Sequence, residues 1–288
     1  MQIIDSKNAL SAALKDRANI GFVPTMGNLH AGHIHLVNLA KQHASCVVVS
    51  IFVNPLQFGV NEDLANYPRT LEADLKKLEA AGADIIFTPS VAELYPNFDA
   101  KNLNQSITIA LPPIADELCG ASRPGHFAGV ATVVAKFFNL IQPQIAFFGK
   151  KDFQQLFIIR ELVKQMNYPI EIIAGETVRE ASGLALSSRN GYWSDTACSK
   201  ASQLNQTLRG MVDAIKQGNQ NFDDVERQAA QQLSAQGWYV DYVSIRNAES
   251  LLPADSDDKH LVVLGAAKLD KTRLIDNIEF CAKWLKRL

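Results

Sequence analysis

The segment Cys46-Val-Val-Val-Ser-Ile-Phe-Val53 constrains the fold more than any other stretch of the chain. It is apolar and largely β-branched, so a strand built from it has no polar face to give to water and must be covered on both sides. That is the condition of a strand inside a parallel sheet, and the flanking sequence supplies the covers. Ile20 to Pro24 is a shorter apolar run, after which Ile34, Val37 and Ala40 recur at helical spacing. Beyond the long run the same period returns in Leu71, Leu75 and Leu78, with Gly82 placed as a C-terminal cap. Asp84 to Thr88, Ile145 to Phe148 and Ile170 to Ala174 read as further strands, separated by helical patterns through Val130, Val134, Phe137 and Phe138 and through Leu156, Ile159 and Val163. Between Pro89 and Pro113 the periodicity weakens around Asn97, Asn102 and Asn104, which predicts a long excursion with a short strand at Ile107 to Ala110.

Strands alternating with helices predict an α/β fold: a doubly wound, Rossmann-like parallel sheet over residues 1–177 with right-handed crossovers. The pattern then changes. A Gly/Ser-containing loop, helices over roughly Thr196 to Gln217 and Phe222 to Gln236, and strands at Tyr239 to Ile245 and Leu261 to Ala266 predict a smaller α+β C-terminal lid domain over 178–288. A chain of 288 residues is long enough for two such cores.

Lys and Arg total 28 against 30 Asp and Glu, a formal charge of −2, which gives no whole-protein case for nucleic acid or an anionic membrane as a partner. Any polyanionic ligand must be held by a local cluster of donors. No apolar run approaches the roughly 20 residues needed to span a bilayer. Met1 to Leu14 carries Asp5, Lys7 and Asn8 among its apolar positions and so lacks the core of a signal peptide, which predicts a cytoplasmic protein. Cys46, Cys119, Cys198 and Cys281 are far apart with no metal-ligand spacing, and read as reduced structural thiols.

The chemistry concentrates where strands end. Pro24-Thr-Met-Gly-Asn-Leu-His-Ala-Gly-His33 joins the first long strand to its helix. In a doubly wound sheet ligands bind beyond the carboxyl ends of the strands, where helix N-termini offer N–H groups and a positive dipole end to phosphates. His30 and His33, three apart at the helix start, share a face, and Gly32 lets a ligand approach without a Cβ in the way. Two imidazoles there can donate to the oxygens of a transferring phosphoryl group. A pair of surface histidines is the alternative, and the strand-turn-helix context weighs against it. Gln57, after Asn54-Pro55 at another strand end, and Gln155, at the start of a later helix, carry amides suited to the hydroxyls and carboxylate of a small polyol acid. Lys151 and Asp152 follow Phe148-Gly149, where a lysine can meet a triphosphate and an aspartate can bind ribose hydroxyls or hydrated magnesium.

His-x-Gly-His after a first strand resembles the signature of the nucleotidylyltransferase and class I aminoacyl-tRNA synthetase superfamily. The fuller string is similar to one family in particular, the pantothenate synthetases or pantoate–β-alanine ligases. Phe52-Val-Asn-Pro-x-Gln-Phe58, Tyr67-Pro-Arg-Thr70, Arg123-Pro-Gly-His-Phe127, Phe148-Gly-x-Lys-Asp-x-Gln-Gln155, Gly183-Leu-Ala-x-Ser-Ser-Arg-Asn190 and Arg273-Leu-Ile-Asp-Asn277 agree with it in order along nearly the whole chain.

The resemblance implies an ATP-dependent ligase. Pantoate attacks the α-phosphate of ATP to give pantoyl adenylate and pyrophosphate, and β-alanine then displaces AMP. It implies His30, His33, Lys151, Ser187, Ser188 and Arg189 as catalytic residues, with Ser187-Ser188-Arg189 a reduced form of the mobile synthetase loop that stabilises leaving pyrophosphate and Gly183 its hinge. ATP would be held by Met26, Gly27, Asn28, Leu29, His30, Ala31, Gly32, His33, Gly149, Lys150, Lys151, Asp152, Val178, Leu186, Ser187, Ser188 and Arg189. Pantoate and β-alanine would be held by Gln57, Gln155, Asn54 and Arg123. Mg2+ would enter mainly on the ATP phosphates, with Asp74 and Asp152 as candidate protein ligands, and the chain would be a homodimer. Ala31, Cys119, Lys150 and Ser182 stand where the family is usually acidic, which puts any role of the Cys119 position in β-alanine recognition in doubt. A nucleotidylyltransferase that keeps its adenylated product would share His-x-Gly-His but not explain Gln57 and Gln155. A non-catalytic nucleotide-binding module would have no need of His30, His33, Lys151 and Arg189 together. The C-terminal stretch Ile278 to Leu288, with Phe280, Trp284 and Leu285, reads as packing or interface.

Overall fold

A computed structural model describes residues 1–59, 64, 67–96, 107–188, 195–270 and 272–282, with the main chain alone at 195–197. They form two compact units, Met1–Lys150 with Ile158–Glu176 and Lys151–Phe157 with Thr177–Leu288.

In the first unit β1 (Gln2–Ile4), β2 (Ile20–Thr25), β3 (Cys46–Ile51), β4 (Ile85–Phe87), β5 (Ile145–Gly149) and β6 (Glu171–Gly175) form one parallel sheet in the order β1-β4-β3-β2-β5-β6. The order reverses between β2 and β5, so the crevice that accepts ligands in such sheets opens where those two strands end. The β-branched run behaves as its composition requires. Val47, Val48 and Val49 expose none of their surface. Val47 and Val49 face Leu36, Val37 and Ala40 of α2 (Ala31–His43) and Leu78 of α3 (Leu71–Ala80). On the other face Phe22 and Phe87 meet Phe137 of α6 (His126–Ile141), with ring centroids 5.5 and 6.2 Å apart. Burying each such side chain contributes about 1.5–3 kcal/mol, which holds the strand ends and their turns in register. The remaining helices are α1 (Lys7–Leu14), the single turns α4 (Val91–Leu94) and α5 (Cys119–Ser122), and α7 (Phe153–Gln165), whose first residues belong to the second unit.

The second unit has an antiparallel sheet, β7 (Tyr239–Asn247), β8 (His260–Leu269) and β9 (Thr272–Cys281), in sequence order. Leu204, Leu208 and Met211 of α9 (Gln203–Lys216) and Val225 and Leu233 of α10 (Phe222–Ala235) pack with Leu261, Val263 and Ala267 of β8 to make its core.

Three expectations need correction, and the C-terminal stretch packs as expected where it is described. Ile107 to Ala110 is not a strand: Ile107 is 88% exposed, and the Ile109 amide donates to Thr132 Oγ1 at 3.1 Å instead of joining a ladder. The helix expected from Thr196 to Gln217 is two, α8 (Asp195–Ala201) and α9, interrupted at Ser202, whose hydroxyl turns back to the Ser199 carbonyl at 2.7 Å. The run from Cys46 leaves the sheet after Ile51, two residues early. The C-terminal stretch begins inside β9, where Phe280 is buried in the core; Trp284 and Leu285 lie outside the described residues, as do Asn97, Asn102 and Asn104.

Candidate active site

The β2–α2 turn is built around histidine acting as a helix cap. His30 is the N-cap of α2 in extended conformation, and its Nδ1 accepts from the Gly32 amide at 3.1 Å. Reciprocally, the His30 amide donates to Nδ1 of His33 at 3.2 Å, closing a capping box made from two imidazoles. Their ring centroids are 4.1 Å apart. With Nδ1 accepting a main-chain N–H in both rings, the neutral imidazoles carry their protons on Nε2. Gly32 serves this cap: a Cβ there would stand 2.8 Å from Cε1 of His30, so the space expected for a ligand belongs to the His30 ring.

The amides of the turn are also spent within the protein. Gly27 and Asn28 have φ of +80° and +50°, and the Asn28 and Leu29 amides converge at 2.8 Å on Oδ2 and Oδ1 of Asp74. Thr70 Oγ1 adds a third bond to Oδ2 at 3.0 Å, and Lys77 Nζ donates to the Leu29 carbonyl at 2.5 Å. Successive main-chain N–H groups on one side of a turn make a concave anion-binding site, and here the turn holds a carboxylate from α3. The Asn28 and Leu29 amides are thus taken by Asp74 in this arrangement. Asp74, with none of its surface exposed and both oxygens bonded to the turn, braces that turn from the wall of the cavity described below.

Gln57 and Asn54 form a second buried cluster. Asn54 Nδ2 donates to Gln57 Oε1 at 3.0 Å and to the Gly129 carbonyl at 3.1 Å, while its Oδ1 accepts from the Tyr95 hydroxyl at 2.8 Å. Burial pushes the Tyr95 phenol well above its usual range, so it stays a donor. Gln57 Nε2 points to Sδ of Met26 at 3.0 Å, which joins this cluster to the nucleotide turn. Arg123 reaches Gln57 through His126: Nη1 donates to Nε2 at 2.9 Å and Nδ1–H donates to the Gln57 carbonyl at 2.8 Å. At Gly129 the helix comes so close that a Cβ would lie 2.2 Å from the Leu56 carbonyl oxygen. Tyr95 and His126 were not singled out in the sequence, although His126 lies inside Arg123-Pro-Gly-His-Phe127.

Lys150, which follows β5 in the first unit, forms an ion pair with Glu176 of the same unit at 2.6 Å. Lys151, Asp152, Gln155, Val178, Leu186, Ser187 and Ser188 belong to the second unit. There residues 178–186 form a tight hairpin: Leu186 N bonds to Val178 O and Glu180 N to Leu184 O, both at 2.9 Å. Gly183, expected as a hinge, sits at its tip with φ +91°, and its carbonyl accepts from Arg179 Nη1 at 3.1 Å. Lys151 and Ser187 wall a common small cavity. Arg189 lies outside the described residues.

A cavity of about 290 Å³ opens beyond the carboxyl ends of β2, β3 and β4, lined by Met26, Gly27, Phe52, Arg69, Thr70 and Thr88 among others. Gln57 and Asn54 are not in its walls. Among the described residues no group of three or more His, Cys, Asp or Glu side chains could hold a metal ion. Of the two carboxylates considered for magnesium, Asp74 is buried and hydrogen-bonded to the turn and Asp152 is exposed.

A doubly wound parallel sheet with paired imidazoles on the turn leaving its switch-point strand defines a nucleotide-binding α/β enzyme. The comparisons narrow the class. The sequence profile described as pantoate-beta-alanine ligase matches residues 2–279. The chain is 62% identical to the pantothenate synthetase of Methylobacillus flagellatus, covering 97% of this chain and 99% of that one, and 54% identical to that of Thiobacillus denitrificans, covering 97% of each. Among solved structures it is similar to the pantothenate synthetase of Thermus thermophilus (TM-score 0.89, 42% identity, 96% and 99% covered). It is also similar to the pantoate-beta-alanine ligase of Francisella tularensis, complexed with beta-gamma ATP and beta-alanine (TM-score 0.78, 33% identity, 96% and 97% covered). The chain belongs to the pantoate–β-alanine ligase family, and its activity is the ATP-dependent joining of pantoate to β-alanine.

Proposed function

We propose that pantoate is adenylated at the β2–α2 turn, with His30 and His33 donating to the α-phosphate. The observation that supports this reading is the reciprocal cap: both Nδ1 atoms accept main-chain N–H groups, which fixes the rings and puts the proton of each neutral ring on Nε2. In the first step a pantoate carboxylate oxygen bonds to the α-phosphorus as the bond to the β-phosphate oxygen breaks and pyrophosphate departs. Negative charge grows on the α-phosphate oxygens, and fixed donors are worth most against charge that grows in the transition state. In the second step the β-alanine amine attacks the pantoyl carbonyl carbon, the acyl–oxygen bond breaks and AMP leaves.

Gln57 and Asn54, with Gln155 and Arg123, are assigned to the two acids. The Met26–Gln57 contact supports this, because it couples the nucleotide turn to an amide pair suited to a hydroxy acid. Lys151, Ser187, Ser188 and Arg189 are assigned to the departing pyrophosphate. Magnesium carried on ATP would neutralise charge on the phosphates, and exposed Asp152 is the carboxylate that would reach it. The remaining contacts to ATP at Met26, Gly27, Ala31, Gly149, Val178 and Leu186 are carried over from the family pattern. We place the smaller unit in the part of a lid and the chain in the cytoplasm as a homodimer, as the resemblance implies. Losing one such donor typically costs about 10²–10³ in rate. His33→Ala should therefore slow single-turnover pyrophosphate release from ATP and pantoate by that factor at an unchanged melting temperature. Near-normal release would remove His33 from the mechanism.

A further inference from the structure

The motif Arg273-Leu-Ile-Asp-Asn277 has no part in the assignments above. We propose that its last two residues, Asp276 and Asn277, are positioning residues for adenylation, holding the Lys151 turn and the 178–188 hairpin on one strand. The inference rests on the reading that Lys151 and Ser187 act on the departing pyrophosphate.

Both side chains are polar yet buried, at 5% and 6% exposure, in the middle of β9. Asp276 takes the Arg179 guanidinium in two parallel bonds, Nη1 to Oδ2 at 2.8 Å and Nη2 to Oδ1 at 2.9 Å. The same guanidinium donates to the carbonyls of Gly183 at 3.1 Å and Asn277 at 3.2 Å, so it ties the tip of the hairpin that leads to Ser187 to β9. Asn205 Nδ2 on α9 also donates to Asp276 Oδ2, at 2.9 Å, and its Oδ1 accepts from Arg209. Asn277 reaches the other segment: its Nδ2 donates to the Lys151 carbonyl at 2.9 Å.

The cluster therefore grips main-chain atoms of two segments well separated in the chain, and Lys151, Ser187 and Asp276 line one small cavity. Stability does not require this chemistry. A buried ion pair can commonly be exchanged for apolar residues of similar volume at little or no cost in stability. What an apolar replacement cannot do is fix the Lys151 carbonyl and the hairpin tip relative to each other. Two donors meant to meet one leaving group gain only when their spacing is set beforehand, and a displacement of about 1 Å can cost on the order of 10²-fold in rate.

The test is Asn277→Ala, which removes the bond to Lys151 and leaves the Arg179–Asp276 pair in place, with Asp276→Asn as a second variant and Lys151→Ala as reference. Rates are normalised to active sites titrated by adenylate formed. Single-turnover pyrophosphate release should fall on the order of 10²-fold in Asn277→Ala, with KM for pantoate within about twofold of the wild type and the reaction of supplied pantoyl adenylate with β-alanine unchanged. A merely structural role would lower the melting temperature and the titre of active sites but leave the rate per site, and its split between the two half-reactions, untouched. That outcome overturns the proposal. If Lys151→Ala slows release and Asn277→Ala does not, the positioning role is refuted while the reading of Lys151 stands. If Lys151→Ala itself releases pyrophosphate normally, that reading and this proposal fall together.

Discussion

Asp74→Asn is the perturbation that separates a brace from a metal ligand. The carboxylate is wholly buried and its Oδ2 accepts from the Asn28 amide and Thr70 Oγ1, its Oδ1 from the Leu29 amide. Asparagine keeps one oxygen and turns the other into an NH2. In either orientation of the amide, one main-chain N–H of the turn then faces a donor and loses its acceptor. The threonine hydroxyl can rotate, but the peptide N–H cannot. Leaving a buried donor unmatched costs about 1–3 kcal/mol, and for a unit of this size about 2–4 °C in melting temperature accompanies each kcal/mol. The variant should therefore melt several degrees lower. The turn leads directly into His30, so a shift of about 1 Å there should cost on the order of 10²-fold in the adenylation rate.

Calorimetry and single-turnover pyrophosphate release, the latter titrated with Mg2+, read both effects. A brace predicts a lower melting temperature, a lower rate at saturating Mg2+ and an unchanged Mg2+ concentration for half-maximal rate. A metal ligand predicts the reverse: an unchanged melting temperature and a higher Mg2+ requirement, with the rate recovered when the metal is in excess. Observing the second pattern would refute the argument from burial and hydrogen bonding.

Gly129→Ala places a Cβ where the Leu56 carbonyl oxygen now lies 2.2 Å away and the Gln57 amide 2.8 Å away, so α6 must withdraw from the turn that carries Gln57. It should destabilise by about 1–3 kcal/mol, as overpacking does, and raise KM for pantoate more than KM for ATP; equal changes in the two would count against the assignment of Gln57. Glu226 in α10 has its carboxyl raised by burial, against bonds from the Ile245 amide and Ser244. A folded pKa above the unfolded value of about 4.3 means that its contribution to stability is complete below that pH and is lost as pH rises through the folded value. Glu226→Gln should accordingly gain on the wild type in melting temperature as pH rises above about 4.3, and a difference that does not change with pH would count against the raised carboxyl.

The parallel sheet was legible because its strands are buried on both faces. Val47 to Val49 can be read without any partner in view, since a run with no polar face has one common solution. Elements that satisfy their bonds differently escaped. β1 is three residues at a sheet edge with only Ile4 buried. The Thr272 to Cys281 strand buries its adjacent polar residues Asp276 and Asn277, which breaks the alternation by which a half-covered strand announces itself. Ile107 to Ala110 failed in the opposite sense, with the composition of a strand but no neighbouring ladder.

The same physics divides the candidate site. Histidines after a strand and amides after a second strand are visible by residue type, because few other side chains can do their chemistry and the fold puts strand ends beside ligands. Their supports are invisible for a definite reason: the partners are main-chain atoms. Asp74 in the first turn of α3 looks like a solvated charge favoured by the helix dipole, and nothing in its local pattern shows that it closes on amides 45 and 46 residues earlier. Asn277 likewise binds a carbonyl 126 residues away. A peptide N–H or C=O has the same identity at every position, so no residue type marks it as a partner. Motifs quoted without a role, such as Tyr67-Pro-Arg-Thr70 and Arg273-Leu-Ile-Asp-Asn277, are therefore where positioning residues are to be sought: Thr70 acts on the β2–α2 turn through Asp74, Asp276 holds the guanidinium that reaches the Gly183 carbonyl, and Asn277 bonds to the Lys151 carbonyl directly.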